Sequence, residues 1–579
     1  MRRFTVLILV GLLTLAPALT PPSLRAEESR GGGYEHAVVA SDHELASAAG
    51  VEMLERGGNV VDAAVATGFA LSVLRPESSG IGGGGFMVIW NADAGEAIAL
   101  DYRERAPKKA TRDMFRPEGL SKEEHSRLSV TGHLATGVPG HVAGLCYALE
   151  HYGTLDLKTV LAPAIKYAED GFPVDRVLRG AQAAAIARFE REPETRERYA
   201  AFHEQYLHGG KAPEVGAIVK SPQARVLRLI AEHGPDAFYK GPVAEAIVAE
   251  SQRGGGLLTL DDLAAMKPVV REPLRGRYGK LAILTMPPPS SGGIALLETL
   301  NILSAYEAAH PDAKIDKLGP DDPLYLHLLT EAMKHAFADR AEFLGDADFV
   351  DVPVARLTSR AYAAELAKRI DPEKTKPLEA YGRFVPPRDG GTTHFSIVDA
   401  DGNAVACTET INTGFGSYVV EPKYGILLNN EMDDFAAVPG QPNAFGLMQS
   451  EKNAVAPGKK PLSSMSPTIA LEDGRAVYVV GASGGPRIIS ASLQVLLNMT
   501  RFGMTVEQAV HRPRIHHQWL PEVLDVEDSL WDKVHESLAA RGHKLLKRSA
   551  GSACQAAHRA EAAVFGASDP RKNGKSRGY

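Results

Sequence analysis

The chain has 579 residues, of which 44% are hydrophobic and 23% charged, with a formal net charge of −7. The length is several times the roughly 150 residues of an average domain, so a large buried core is available. The mildly acidic balance excludes the basic surface that nucleic-acid or anionic-membrane binding needs. Arg2 and Arg3 precede an apolar run from Phe4 to Leu19, followed by Pro21, Pro22 and a small-residue context ending at Ala26. This is the pattern of a secretory signal peptide over residues 1–26. The run is shorter than the ~20 residues that cross a bilayer, so an uncleaved anchor is the secondary reading. Export to the periplasm is expected, with release outside the cell as the alternative.

Ala37 to Ala40 reads as a strand and Glu44 to Glu55 as an amphipathic helix ended by Gly57-Gly58. Asn59 can cap a second helix that runs to about Leu74 and is apolar on most faces, hence buried. A glycine-rich loop, Gly82 to Gly85, feeds strands at Phe86–Trp90 and Ala97–Tyr102. It lacks the GKS/T ending and Rossmann spacing of a phosphate loop, so it reads as a structural turn. From about 110 to 380 the texture is mainly helical, as at Ala143–His151, Leu157–Glu169, Gln223–His233 and Tyr325–Phe343. A rigid turn, Pro287 to Gly293, interrupts it. Past the Pro386–Gly391 loop, strands are expected at His394–Asp399, Ala404–Thr410, Ile426–Leu428, Thr468–Leu471 and Ala476–Val480. Asp401-Gly402 is a hairpin turn between the first two. Helices follow at Ile489–Arg501 and, capped by Thr505, to Val510. The three cysteines, Cys146, Cys407 and Cys554, fit no metal motif and read as buried small residues. His335 and His516-His517 lack the spacing of metal ligands and read as core or surface histidines; Arg105, Lys108 and Lys109 read as a solvated basic cluster.

The chemistry centres on Gly391-Thr392-Thr393-His394. A hydroxyl needs a base beside it to act as a nucleophile. A cut before Thr392 would give that threonine a free α-amine with a reference pKa of about 7.7–8.0, so one residue would carry nucleophile and base together. Alone, this is weak, because threonine at a strand start is common.

The surrounding blocks change the weighting. They include Gly58-Asn59-Val60-Val61-Asp62-Ala63-Ala64, Gly82 to Met87, Asp101-Tyr102-Arg103-Glu104 and Met286 to Gly293. C-terminal to them come Thr392-Thr393-His394, Thr408 to Asn412, Gly425 to Phe435, Pro461 to Thr468 and Gly481 to Gly485. In these blocks, ordered along nearly the whole chain, the sequence resembles the γ-glutamyltransferases of the N-terminal-nucleophile hydrolase superfamily. The resemblance implies a mixed α/β fold, a four-layer αββα sandwich built jointly by a large subunit (27–391) and a small subunit (392–579). The two would arise by autocatalytic cleavage between Gly391 and Thr392.

It also implies roles. Thr392 would be the nucleophile and Thr410 its orienting partner. Gly484 and Gly485 would form an oxyanion hole through backbone N–H groups. The donor, a γ-glutamyl amide such as glutathione, ends in one carboxylate and one ammonium. Arg103 would clamp the carboxylate with Ser463 and Ser464, while Glu431 and Asp434 would pair with the ammonium and Asn412 accept a hydrogen bond from it. The run Asn429–Asp434 lacks the length and spacing of an EF-hand loop. Phe445 would cover the bound group from a lid loop. No metal and no cofactor are expected, and water or an amino acid or peptide would be the acceptor. Two alternatives stay open: an acylase acting on glutaryl amides, and a non-enzymatic binding protein.

Overall fold

The structure is a computed structural model that describes residues 33–382, 392–436 and 450–579. It begins with a strand, β1 (Ala37–Ser41), and two helices, α1 (Glu44–Glu55) and α2 (Val60–Leu74). Asn59 starts α2 by accepting the N–H groups of Val61 and Asp62, while Asp62 accepts the N–H of Asn59 in return, so the orphan amides of the first turn are satisfied. Every residue of α2 is buried, as its largely apolar surface requires.

Strands β2 (Gly84–Asn91) and β3 (Glu96–Asp101) come next, then helices α3 (His141–Tyr152) and α4 (Leu157–Asp170). The region expected to be mainly helical also contains three strands: β4 (Val269–Arg271), β5 (Leu274–Tyr278) and β6 (Leu281–Thr285). The first two are short and arginine-bearing and lie at sheet margins; β6 lies inside its sheet, but a five-residue, mostly apolar run cannot be told from buried helix by periodicity alone. Helices α5 (Gly292–Ala309) and α6 (Pro323–Phe343) follow. Beyond residue 392 come β7 (Thr393–Asp399), β8 (Ala404–Thr410), β9 (Thr468–Glu472), β10 (Arg475–Ser483), α7 (Arg487–Phe502), β11 (Ala553–Arg559), β12 (Val564–Ser568) and β13 (Arg577–Gly578).

These strands form two antiparallel sheets. One has the order β13-β1-β7-β8-β2-β3-β4 and the other β12-β11-β10-β9-β6-β5. In both, strands from before and after residue 391 hydrogen-bond to each other: β1 lies between β13 and β7, β8 pairs with β2, and β9 pairs with β6. Side chains alternate between the faces with the two-residue period of a strand. On β7, Phe395 and Ile397 join the core under α1, α2, α3 and α4, while His394, Ser396 and Val398 face the second sheet. Helices α5, α6 and α7 share the other core with the inner faces of both sheets. The architecture is therefore the four-layer αββα sandwich. Among the described residues, no helix is long and apolar enough to cross a membrane. Cys146, Cys407 and Cys554 are all buried and unbridged.

Candidate active site

Thr392 stands one residue before β7. The β7–β8 register pairs Thr393 with Glu409, so the next position brings Thr392 opposite Thr410. Both hydroxyls then point between the sheets, and their oxygens lie 3.3 Å apart. Thr410 Oγ1 also accepts the N–H of Asn412 at 2.8 Å, which fixes its lone pairs. The carbonyl of Thr392 accepts a hydrogen bond from Lys572 Nζ, whose ammonium also reaches Asp42 and Ser78 at 3.2 Å each. His394, next but one to Thr392, faces away into the core between Thr408 and Ser396. Burial pushes its pKa down to about 3, so it is neutral and takes no part in proton transfer at Thr392.

A pocket of about 270 Å³ opens beside the two threonines. Arg103, Asn412, Glu431, Asp434, Ser463, Ser464 and Gly485 line it with Thr392 and Thr410, and Met465, Pro486 and Ile488 supply apolar wall. Strand ends deliver most of these groups. Arg103 follows β3, Asn412 follows β8, the serines precede β9, and Gly484-Gly485 join β10 to the N-terminus of α7. Gly484 and Gly485 have φ of +124° and +54°, backbone that side chains with a Cβ rarely adopt. A second cavity of about 500 Å³ lies on the other side of Thr392, lined by Gly484, Ser552, Arg571 and Lys572 among others.

The charged groups do not keep the separation that the sequence suggests. Arg103 donates through Nη1 to Glu431 and through Nη2 to Asp434, with the Asp434 contact at 2.5 Å. Glu104 lies 3.9 Å from the same guanidinium. Arg103 is anchored from behind, its Nε on the carbonyl of Pro461 at 3.2 Å and its N–H on Asp101 at 3.1 Å. All four charged side chains are buried, so this is no surface salt bridge. Burial opposes the charge on Arg103, but Glu431, Asp434 and Glu104 more than restore it and its pKa rises. Burial pushes the carboxyls of Glu431 and Asp434 up against the pull of Arg103. Glu104 is pushed up to about 7 by the same burial, again opposed by Arg103.

The remaining groups are aimed. Asn412 holds a left-handed backbone (φ 75°) and commits its amide NH₂ to the carbonyl of Asn430 at 2.9 Å, which leaves its side-chain carbonyl as an acceptor. Ser463 Oγ accepts the N–H of Met465 at 3.1 Å and so keeps its own proton to donate. Ser464 Oγ is buried with no hydrogen-bond partner among the described residues. Phe445 and the Gly391–Thr392 junction, on its Gly391 side, lie outside the described residues. Sequence reasoning does not single out Glu104 and Lys572 as site residues: Glu104 stands there only as the end of the Asp101–Glu104 block, and Lys572 sits in a polar tail with no motif to mark it.

The glycines at 82–85 are a place of close approach rather than a simple turn. A Cβ on Gly82 would lie 2.1 Å from the carbonyl of Leu427, and one on Gly83 equally close to that of Thr410. His516 is buried and satisfied by Ser490 and Gln518. Among the described residues, His327, Glu331 and His543 bring potential ligand atoms within 4.8 Å of one another. The Lys334 ammonium, 3.0 Å from Glu331, already meets the charge of that group.

Comparison with known proteins places the chain. A family model described as Gamma-glutamyltranspeptidase matches residues 46–579. The glutathione hydrolase proenzyme of Escherichia coli (strain K12) is 44% identical over 561 residues, 96% of this chain and 94% of that protein. Cephalosporin acylase from Bacillus halodurans superposes with a TM-score of 0.83 at 30% identity, covering 97% of this chain and 99% of that one. Helicobacter pylori gamma-glutamyltranspeptidase superposes with a TM-score of 0.54 at 38% identity, covering 62% of this chain and 96% of that one. A threonine pair at the mouth of a two-sheet sandwich, beside a small pocket carrying both signs of charge, thus sits in a chain that belongs to the gamma-glutamyltranspeptidase family.

Proposed function

We propose that the chain is an exported precursor of a γ-glutamyltransferase and glutathione hydrolase. It cuts itself between Gly391 and Thr392 and acts as a heterodimer of residues 27–391 and 392–579 after loss of residues 1–26, in the periplasm. The observation that carries this reading is the shared pocket: the Thr392–Thr410 pair and the Arg103, Glu431 and Asp434 cluster line one cavity. Such a cavity matches a substrate whose end is an α-amino acid.

Donor binding exchanges ion-pair partners. The α-carboxylate takes Arg103 and the hydroxyls of Ser463 and Ser464. The α-ammonium takes Glu431 and Asp434, and donates to the side-chain carbonyl of Asn412. The donor end is neutral overall, so no net charge is buried by the exchange. Thr392 Oγ then attacks the γ-carbonyl, and its proton passes to the α-amine of the same residue. The N–H groups of Gly484 and Gly485 hold the developing oxyanion. The C–N bond breaks, the leaving amine takes the proton, and a γ-glutamyl ester of Thr392 remains. Water, or the amine of an amino acid or peptide, removes the acyl group. No step calls for a cofactor.

The superposition with an acylase supports a second reading, hydrolysis of glutaryl amides. A glutaryl group has no ammonium for Glu431 and Asp434, which favours the first. Intact-mass analysis of wild type beside Thr392→Ala, followed by assay of wild type on γ-glutamyl- and glutaryl-p-nitroanilide, tests both. Two chains in the wild type, one starting at Thr392, a single chain in the variant, and preference for the γ-glutamyl donor are expected. One full-length chain in both folded proteins would remove Thr392 as nucleophile, and preference for the glutaryl donor would transfer the chain to the acylases.

A further inference from the structure

Ser463 and Ser464 lie on a short extended segment that owes its shape to another part of the chain. The turn Pro287–Ser291 cradles it. Ser291 donates both its N–H and its hydroxyl to the carbonyl of Ser463, at 2.8 and 2.6 Å. Ser463 N–H returns to the carbonyl of Pro289 at 2.9 Å, and Ser290 Oγ donates to the carbonyl of Met465.

Behind this turn stands Arg340, on α6. It is 1% exposed and does not line the pocket. Its Nε donates to Ser291 Oγ at 2.9 Å, while Nη1 and Nη2 are buried without a hydrogen-bond partner among the described residues. A guanidinium that uses so few of its donors in a core is costly. Burial lowers its pKa to about 10, against the opposing pull of Asp434, so it stays charged.

A hydroxyl carries one proton. Because Ser291 Oγ accepts from Arg340, that proton is left for the carbonyl of Ser463. The direction of this bond sets the plane of the Ser463–Ser464 peptide, and hence where both serine hydroxyls point.

We infer that Arg340 is a positioning residue for donor recognition: acting through Ser291, it holds the Ser463–Ser464 segment in the orientation that receives the donor's carboxylate. The inference rests on the donor reading above.

The test uses Arg340→Met, Arg340→Lys, Ser291→Ala and the Arg340→Met/Ser291→Ala double variant, each first shown to be processed into two chains. Two donors are compared, γ-glutamyl-p-nitroanilide and 4-aminobutyryl-p-nitroanilide, which lacks the α-carboxylate. Arg340→Met and Ser291→Ala are expected to raise KM for the γ-glutamyl donor about tenfold, the worth of one lost hydrogen bond to a charged group, with kcat nearly unchanged. The double variant should lose little more than either single one, because both break one relay. Arg340→Lys should recover part of the loss. The 4-aminobutyryl donor should be unaffected throughout.

Equal loss on both donors, or additive effects in the double variant, would overturn the assignment. If Arg340→Met is not processed, Ser291→Ala decides alone, and an unchanged KM there overturns it. Wild type that fails to prefer the donor with the carboxylate removes the donor reading itself. Wild type that discriminates, with variants that behave like it, removes only the role of Arg340.

Discussion

Arg103 is in direct contact with Glu431, Asp434 and Glu104, all buried. Its removal leaves three buried carboxyls with only the more distant charge of Arg340, felt by Asp434, to oppose them. Breaking a buried pair in this way typically costs about 3–5 kcal/mol, because the abandoned charge stays buried. Arg103→Met should therefore lower the denaturation midpoint clearly as well as weaken donor binding. Arg103→Lys should keep more stability than binding, since a point charge cannot serve two acceptors with a planar fork. Thermal melts of both variants beside wild type check this. An unchanged midpoint for Arg103→Met would mean that the acids do not depend on the guanidinium. The identity of these residues was readable through family resemblance. Their mutual pairing was not, because nothing in the spacing from 103 to 431 says that two groups assigned to opposite ends of a ligand meet each other without one.

At the scale of elements, the turn between β10 and α7 matters most. Gly484 has a positive φ, and a Cβ there would sit 2.5 Å from the carbonyl of Gly551. Gly484→Ala should cut kcat by about 10²- to 10³-fold, the usual loss for a displaced oxyanion donor. Gly503→Ala, at the left-handed C-cap of α7 with open space around it, should cost about 1 kcal/mol of stability and spare kcat. Kinetics on both processed variants check the contrast, and equal kcat values would remove Gly484 from the mechanism. Elements with strong local signals were legible. The Asn59 cap and the glycine pair before it delimit α1 and α2, and the Asp401-Gly402 turn separates β7 from β8. Strands β4 and β5 escaped because arginines at 271, 275 and 277 mask their alternation, and β6 because a five-residue, mostly apolar run carries no strand period of its own. The C-terminal strand β11 escaped because its alanines carry little β-propensity.

The whole molecule buries many neutral imidazoles. Burial pushes His335, His394 and His516 down to about 3 and His543 to about 2, from an ordinary 6.5. Between those values the unfolded chain binds protons that the folded one refuses. Stability is thus fully present above about pH 6.5 and is lost as pH falls from there toward 3. The slope approaches about 1.4 kcal/mol per pH unit for each such histidine. Urea denaturation from pH 8 to pH 4 should show a steep fall in midpoint below pH 6.5. A flat profile would mean that these rings are protonated in place.

The interleaving of strands from the two sides of residue 391 has a further meaning. Strand β1 is clasped between β7 and β13, and pairs such as β8–β2 and β9–β6 stitch the halves at other places. Neither half has both sheets complete if the other leaves, and each would expose strand edges that the other now covers. A cut in the connecting segment would therefore free an amine without freeing a subunit. The sandwich has to be assembled while the chain is still continuous, when its two halves meet at the high effective concentration of a tether. Maturation is then a one-way step: the uncut chain carries the instructions for assembly, and the cut enzyme inherits a form that its separated pieces would have to find again as two molecules.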